Sequence, residues 1–210
     1  QEEKERIAAM TVPDEFVESL CRIAREKNLA DEGMEPSFAA KIIGFLTPSP
    51  EKVIENFNDI REKEGIEKAC LYLYNLSIKN NYIQKTAIEK NIKWRADFED
   101  NFIEITINLS KPEKDNKDIL RQLKQPATSY PPCALCIENL GFEGNLSKPP
   151  RQNIRVVPVK LDGEEWFVQY SPYLYYDEHC IAISMEHRPM KVDRSTFLRL
   201  LDFVDIFPHY

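Results

Sequence analysis

The chain has 210 residues, 42% hydrophobic and 30% charged, which is the ordinary composition of a soluble globular protein, and its formal net charge is −7. That length suits one large domain or two small ones, with a hydrophobic core that needs no disulfide support. The acidic balance argues against a general nucleic-acid or anionic-membrane surface, and no segment approaches the ~20 consecutive apolar residues of a membrane-spanning helix.

The first residues and the cysteines bear on the processing of the chain and on the redox state of its compartment. Residues 1–6 are polar and charged, unlike a signal peptide, and the first residue is Gln rather than Met. We therefore expect a fragment or a processed chain. Five cysteines, an odd number at irregular spacing, fit reduced thiols in a cytosol better than a disulfide framework.

Residues 13–80 predict a series of helices, because apolar residues recur three and four positions apart. Ser49-Pro50-Glu51 is a typical helix start, and Gly65 is expected to end that helix. Cys21 and Cys70 lie on the apolar stripes, so we expect core residues rather than reactive thiols. Residues 1–88 are accordingly predicted to form a helical N-terminal region that serves packing or interaction.

The apolar period changes from helical to alternating after Trp94. Isoleucine and leucine occupy every second position of residues 102–109, which predicts a half-buried strand. Pro112 should end its pairing, and a short helix is expected over residues 115–124. Residues 89–210 are therefore predicted to form a second region.

Three further strands are predicted over residues 154–161, 165–171 and 180–184, with Asp162-Gly163 as a hairpin turn. Asp193 can cap a final helix. Four apolar residues share one side of that helix: Phe197, Leu200, Leu201 and Val204. Together these elements predict an α+β fold in which helices precede an antiparallel sheet.

Cys133 and Cys136, two residues apart, could bind one Zn²⁺ as thiolates at ~2.3 Å. The other half of a tetrahedral site would come from His187, His179 or Cys180. The last two are adjacent and point to opposite faces of a strand, so at most one of them can face the pair. Inert loop cysteines and a redox dithiol stay open, although a loop that follows two prolines is not the usual place for a redox pair.

Cations and aromatic residues offer a second candidate site. Cations in loops or at strand ends could hold phosphate oxygens, with solvated surface charge as the alternative for each: Lys111, Lys114, Arg151 and Arg155. Aromatic residues crowd the second hairpin, either as core or as a wall on which a base stacks: Trp166, Phe167, Tyr170, Tyr173, Tyr175 and Tyr176. Gln169 and Ser171 share one face of that strand and could read a sugar or a base edge.

Several long motifs resemble one family, the second, Gram-positive-type class of UDP-glucose–hexose-1-phosphate uridylyltransferases. The resemblance runs from about Phe16 to the last residue. The motifs are Asn91-Ile92-Lys93-Trp94, Ile105-Thr106-Ile107-Asn108-Leu109-Ser110-Lys111-Pro112-Glu113-Lys114, Arg151-Gln152-Asn153, Trp166-Phe167-Val168-Gln169-Tyr170-Ser171-Pro172-Tyr173, Glu178-His179-Cys180, Glu186-His187-Arg188-Pro189-Met190-Lys191, Leu200-Leu201-Asp202-Phe203-Val204 and Phe207-Pro208-His209-Tyr210.

The resemblance implies the cytoplasmic galactose-1-phosphate uridylyltransferase reaction of galactose metabolism. In that reaction UMP passes from UDP-glucose to galactose 1-phosphate through a uridylyl-histidine. It also implies a fold related to the histidine-triad proteins, so that residues 89–210 would form an incomplete antiparallel sheet with flanking helices. The family's nucleophilic histidine lies in a His-x-His-x-Gln type motif, which this sequence lacks. We expect that histidine after Tyr210 and expect these 210 residues alone to be inactive.

The resemblance also implies site residues. By similarity to the first class of the family, Cys133, Cys136 and His187 correspond to ligands of a structural zinc ion, with a fourth histidine expected outside this chain. The expected substrate-binding residues are Gln169, Ser171, Lys111, Arg151 and Asn153.

Two other functions stay open. One is a zinc-stabilised binding module without catalysis, and the other is a thiol oxidoreductase that uses the cysteine pair. The expected partners of the intact protein are UDP-glucose and galactose 1-phosphate. No nucleic-acid or membrane partner is expected. A homodimer stays open.

Overall fold

A computed structural model describes residues 13–111, 129–145, 148–174, 176–189 and 191–210. The expected helix over residues 115–124, the strand end at Pro112 and the cation Lys114 lie outside the described residues. Within those residues, no helix combines the length and the apolar composition that crossing a bilayer would require.

Helices form the first part of the described chain, as residues 13–80 predicted. They are α1 (Asp14–Glu26), α2 (Glu35–Leu46), α3 (Pro50–Glu64), α4 (Ile66–Lys79) and the short α5 (Lys85–Ile88). The Ser49 hydroxyl accepts a hydrogen bond from the Lys52 N–H and caps α3, which ends at Gly65 as expected. Helices α1 and α2 pack together, and so do α3 and α4.

Strands β1 (Ile92–Phe98) and β2 (Asn101–Ile107) pair antiparallel and form a two-stranded ribbon. The predicted strand is confirmed, but the prediction that it is half-buried is wrong. Both faces of the ribbon are largely exposed, and Ile103 and Ile107 keep about half of their surface in solvent. The reason is that the only partner of β2 in the described residues is β1, so alternation brings no face against a core.

Strands β3 (Val157–Leu161), β4 (Glu164–Tyr170) and β5 (Cys180–Ser184) form an antiparallel sheet in the order β3-β4-β5. Asp162 and Gly163 connect the first two strands, both with positive φ, as a two-residue hairpin turn requires. Helix α6 (Arg194–Ile206) follows, capped by the Asp193 carboxylate as predicted. The described chain is therefore α+β, with helices followed by small antiparallel sheets.

One hydrophobic core joins the helices to this sheet. Phe57 of α3 and Leu73 of α4 belong to the same buried cluster as Val157, Val168 and Tyr170 of the strands. The division into residues 1–88 and 89–210 stays a prediction, and the shared core shows that α3 and α4 pack on the sheet rather than apart from it.

The Arg155 side chain connects the same two parts through polar contacts. Its guanidinium donates hydrogen bonds to the carbonyl oxygens of Gly44, Thr47 and Pro48 around the end of α2, and to those of Gln152 and Ile154. The expectation of a phosphate-binding or solvated cation at Arg155 is wrong, because the backbone occupies its donors and only 8% of the residue is exposed. Burial lowers the pKa of this guanidinium.

Candidate functional site

Cys133 and Cys136 lie on a tight turn that is held from two sides. The Cys136 N–H donates to the Cys133 carbonyl, and a short 3₁₀ helix, Ile137–Asn139, follows. The Asn139 amide, almost completely buried, donates to the carbonyls of Cys133 and Pro131 at 2.7 and 3.2 Å. This asparagine fixes the loop from within. Sequence reasoning missed it, because nothing local marks an amide that bonds six residues back.

His187 reaches the cysteine pair from a segment that follows β5. Its Nδ1 lies 3.2 Å from the Cys136 Sγ, and ligand atoms of Cys133, Cys136 and His187 all lie within 4.8 Å of one another. Among the described residues this is the one group of three or more metal-ligating side chains so arranged. His179 and Cys180 do not belong to it. The structure therefore brings together the three residues that the family resemblance implied as ligands, and among the candidates for the third it is His187 that reaches the cysteine pair.

This donor set suits a soft or borderline divalent metal. Two thiols and an imidazole are ligands that zinc prefers, whereas calcium and magnesium prefer oxygen. Burial raises the pKa of the Cys136 thiol, and the neighbouring Cys133 adds to the shift. A raised pKa disfavours Cys136 as an attacking thiolate, and the thiol oxidoreductase stays a prediction. The group could bind a metal ion.

Glu164 holds the segment that carries His187. Its two carboxylate oxygens lie 2.8 Å from Arg188 and 2.8 Å from Arg199, so one acid at the start of β4 joins the residue after His187 to helix α6. Both guanidiniums help to keep the pKa of Glu164 below its usual range. The sequence showed only two adjacent acids here, because the two arginines lie 24 and 35 positions away.

Gln169 lies in a buried polar network rather than at an open edge. Its Oε1 accepts a hydrogen bond from Arg151 at 3.0 Å, and its Nε2 donates to the Tyr82 hydroxyl at 3.0 Å. Gln169 has no exposed surface, and Arg151 is only 7% exposed. Burial raises the pKa of Tyr82 to about 12, so its hydroxyl stays protonated at neutral pH. In this structure Gln169 is therefore closed to solvent, and both polar atoms of its side chain are hydrogen-bonded, one to Arg151 and one to Tyr82.

The other three expected binding residues have separate surroundings. Asn153 is buried and exchanges two hydrogen bonds with Asn80, each amide donating to the other residue's carbonyl. The buried Ser171 hydroxyl accepts from the Tyr173 N–H. Lys111 is exposed beyond the end of β2, where its backbone N–H donates to Asn108. The structure thus brings Arg151 and Gln169 into contact, and it gives Asn153, Ser171 and Lys111 partners of their own.

The aromatic residues of the hairpin are mostly core. Phe167 and Tyr170 are buried, and the Tyr170 hydroxyl donates to the Cys70 carbonyl and lies 2.7 Å from that of Tyr210. Tyr176 is exposed. For Phe167 and Tyr170 of β4, the prediction of core residues is therefore confirmed rather than the prediction of a base-stacking wall. Tyr175 lies outside the described residues.

Known proteins match this chain along most of its length. The family model described as galactose-1-phosphate uridyl transferase, N-terminal domain, matches residues 4–189. A galactose-1-phosphate uridylyltransferase of Fusobacterium nucleatum is 46% identical over 212 residues, which cover 100% of this chain and 42% of that protein. Proteins of the same name are 54% identical over 171 residues in Caldanaerobacter subterraneus, covering 81% of this chain and 33% of that protein, and 46% identical over 172 residues in Bacillus subtilis, covering 82% and 34%.

No solved structure matches the chain. The chain spans between about a third and about two fifths of the length of these three relatives. The family match and the identities confirm the resemblance read from the motifs, and relatives in Bacillus and Clostridium fit the Gram-positive-type class. The chain belongs to the galactose-1-phosphate uridyl transferase family and corresponds to its N-terminal domain.

Proposed function

We propose that the protein to which these residues belong transfers UMP from UDP-glucose to galactose 1-phosphate in the cytoplasm. The observation that carries the proposal is 46% identity along the whole chain to a protein named galactose-1-phosphate uridylyltransferase. An imidazole attacks the α-phosphorus of UDP-glucose, and glucose 1-phosphate leaves. Galactose 1-phosphate then attacks the uridylyl-histidine, which releases UDP-galactose and the free imidazole.

In this proposal the described residues frame the reaction rather than perform the attack. The β3-β4-β5 sheet and its flanking helices would form part of a fold related to the histidine-triad proteins, and its antiparallel order supports that relation. Cys133, Cys136 and His187 would hold a zinc ion that stiffens the segment after β5. A fourth ligand from elsewhere in the protein would close the site.

Arg151 is the described residue best suited to meet a substrate phosphate. Its guanidinium is buried, it makes a hydrogen bond to the neutral Gln169, and its Nε has no partner among the described residues. A buried cation that makes no ion pair with the residues the structure describes favours an anion, and a phosphate oxygen would supply one. Gln169 then positions Arg151. Ser171, Asn153 and Lys111 remain proposed contacts of the same substrate.

The half-reaction tests the proposal directly. The full-length protein should exchange labelled glucose 1-phosphate into UDP-glucose without any galactose 1-phosphate, because the uridylyl-histidine forms before the acceptor binds. A protein that exchanges nothing alone, and makes UDP-galactose only when both substrates are present, would contradict the covalent route.

A pair of variants tests Arg151. Arg151→Met should raise the KM for UDP-glucose by about tenfold or more, since a hydrogen bond to a charged group contributes roughly 1.5–3 kcal/mol. Lys160→Met removes an exposed cation from β3 of the same sheet and should leave that KM unchanged. Melting temperatures of both variants show whether Arg151→Met folds. A folded Arg151→Met protein with an unchanged KM would remove Arg151 from the site.

The zinc-stabilised binding module is the second candidate, motivated by the same ligand group. It predicts about one zinc per chain in elemental analysis and no rise in melting temperature with UDP-glucose. The transferase predicts such a rise, because a ligand that binds only the folded state stabilises it.

A further inference from the structure

The buried polar cluster of Arg151, Gln169 and Tyr82 contains more hydrogen-bond donors than acceptors. The Gln169 Oε1 accepts from Arg151 at 3.0 Å, and the Tyr82 hydroxyl oxygen accepts from the Gln169 Nε2 at 3.0 Å. The Arg151 Nε–H has no partner among the described residues, and within those residues no acceptor takes the Tyr82 hydroxyl proton. Two donors are therefore left without an acceptor inside the cluster.

The charge of the cluster is unbalanced in the same sense. Arg151 carries a full positive charge, and its side chain contacts the neutral Gln169 and lies beside the neutral Tyr82 hydroxyl. Burial raises the pKa of Tyr82 to about 12, so at neutral pH this hydroxyl keeps its proton and remains a donor. A buried cation with two spare donors is matched by an anion that has several acceptor oxygens, which is the chemistry of a phosphate.

The surface of the cluster shows which of its residues can meet such an anion. Gln169 has no exposed surface, whereas Arg151 and Tyr82 keep 7% and 9% of theirs. The cluster therefore meets solvent through the two residues that have spare donors, and Gln169 joins them from within.

Tyr82 comes to the cluster from the helical part of the chain. It is the third residue after α4 and follows Asn81, whose φ of 59° reverses the chain. The Tyr82 N–H donates to the Asn80 side-chain oxygen at 3.1 Å. The Asn80 amide donates to the Asn153 carbonyl at 2.6 Å, and the Asn153 amide donates back at 2.9 Å. Since Asn153 is two positions from Arg151, these bonds fix the end of α4 to the segment that carries the guanidinium.

From the two spare donors, the unbalanced charge and the fixed position of α4, we propose that Tyr82 is a substrate-binding residue that donates its hydroxyl proton to the phosphate bound by Arg151. The inference rests on the proposed function, because it takes that phosphate to belong to a uridine nucleotide. The helical region then does more than pack on the sheet, since the residue after its fourth helix completes the binding site.

Nucleotide binding to the full-length protein tests the inference without turnover. Tyr82→Phe should raise the dissociation constant for UMP by about tenfold or more, because it removes a hydrogen bond to a charged group. The dissociation constant for uridine, which lacks the phosphate, should stay the same. Calorimetry measures the UMP constant, and displacement of UMP measures that of uridine. An equal loss for both ligands would mean that Tyr82 shapes the site without contacting the phosphate, and would overturn the inference.

Tyr72→Phe is the matched control. The Tyr72 hydroxyl also accepts a hydrogen bond from a side-chain amide, that of Asn56 at 3.2 Å, but these two residues belong to helices α4 and α3. Its loss removes the same kind of bond and should leave UMP affinity unchanged. A folded Tyr82→Phe protein that binds UMP as tightly as the wild type would overturn the inference and leave the proposed function intact. A wild-type protein that binds no UMP would overturn both.

Gln169→Glu tests the donor excess from inside the cluster. A carboxylate at this position offers acceptors to both Arg151 and Tyr82, so it supplies the anion that the cluster lacks. The variant should keep the wild-type melting temperature and should bind UMP roughly 100-fold more weakly, because its charge repels the phosphate.

Gln169→Leu is the comparison for that variant. It removes both polar atoms at nearly the same size, so Arg151 and Tyr82 lose their shared partner and the melting temperature should fall. A Gln169→Glu protein that melts as low as Gln169→Leu would show that the cluster has no spare donors for an anion. That result would overturn the inference even if Tyr82→Phe failed to fold.

Discussion

At the residue scale, Glu164 makes an ion pair with Arg188, the neighbour of the proposed metal ligand His187. Glu164→Gln removes the charge that holds both Arg188 and Arg199, so the segment with His187 should loosen. We expect zinc affinity to fall by about tenfold, the lower end of what the loss of an outer-shell partner costs. Competition with a coloured zinc chelator measures the affinity.

Glu165→Gln is the control for that experiment. Glu165 is the next residue of β4 and is exposed. Its loss removes the same charge from the protein and leaves both ion pairs in place. Equal zinc affinities for the two variants would show that Glu164 does not position His187.

Single residues also show how far sequence reasoning reaches at a site. The spacing of Cys133 and Cys136 predicted a pair of possible metal ligands, and the structure places His187, which follows a short strand, beside that pair. Gln169 was different. The Gln169 side chain is covered by Arg151 and by Tyr82, which lies 87 positions away in the sequence. Strand alternation predicted the face of the sheet on which Gln169 lies, but it could not predict which residues cover that face.

At the element scale, helix α2 approaches the loop before β3 so closely that one position admits no side chain. A Cβ at Gly44 would lie 2.5 Å from the Gln152 carbonyl oxygen. Gly44→Ala should therefore destabilise the fold by about 1–3 kcal/mol, although alanine by itself favours a helix by ~1 kcal/mol. Urea unfolding of the full-length protein measures the difference.

The adjacent Phe45→Ala substitution is the reference for that measurement. Phe45 is 89% exposed, so its truncation should change stability by less than about 0.5 kcal/mol. If Gly44→Ala stabilised the protein, α2 would not contact the loop as the structure shows.

Helix α6 depends on the charge of its cap. The Asp193 carboxylate accepts a hydrogen bond from the Thr196 N–H, and this bond is the main reason that the pKa of Asp193 falls to about 2. A lowered folded-state pKa stabilises the fold above the unfolded-state pKa of ~3.9 and loses that effect as the pH falls through 2. The melting-temperature gap between the wild type and Asp193→Ala should be constant from pH 7 to 5 and narrow below pH 4.

Asp205→Ala provides the comparison, since Asp205 is an exposed carboxylate at the other end of the same helix. Removal of Asp205 should not lower the melting temperature, because an acid near a helix C-terminus opposes the helix dipole. An Asp193→Ala gap that stayed unchanged down to pH 2 would contradict the cap as the source of the lowered pKa.

The elements themselves were predictable where the signal is local. Ser49 and Pro50 marked one helix start, Asp193 marked another, and the turn at Asp162 and Gly163 set the β3–β4 hairpin. The burial of β2 was not predictable, because alternating isoleucines look the same on a core strand and on an uncovered ribbon. Only the arrangement of the other elements decides between them.

At the scale of the whole molecule, Arg155 joins the helices to the strands. Arg155→Lys keeps the charge but cannot reach five carbonyl groups with one ammonium, so buried acceptors lose their partners. We expect a loss of about 2–4 kcal/mol in the free energy of unfolding. Arg22→Lys, at an exposed position of α1, should be nearly neutral.

The same unfolding curves test whether the two predicted regions are independent. Because α3, α4 and the β3-β4-β5 sheet share one core, circular dichroism of the helices and fluorescence of Trp166 should report one coincident transition. Two separate transitions would support the division into residues 1–88 and 89–210 as units that unfold alone.

The contact between Cys136 and His187 joins two segments that are 51 positions apart in the chain. An ion held there would act as a removable cross-link, and it would stabilise the fold because it binds the folded chain in preference to the unfolded one. Resistance to heat would then vary with the supply of metal. In cells short of zinc, the same polypeptide would be less stable and more susceptible to proteolysis.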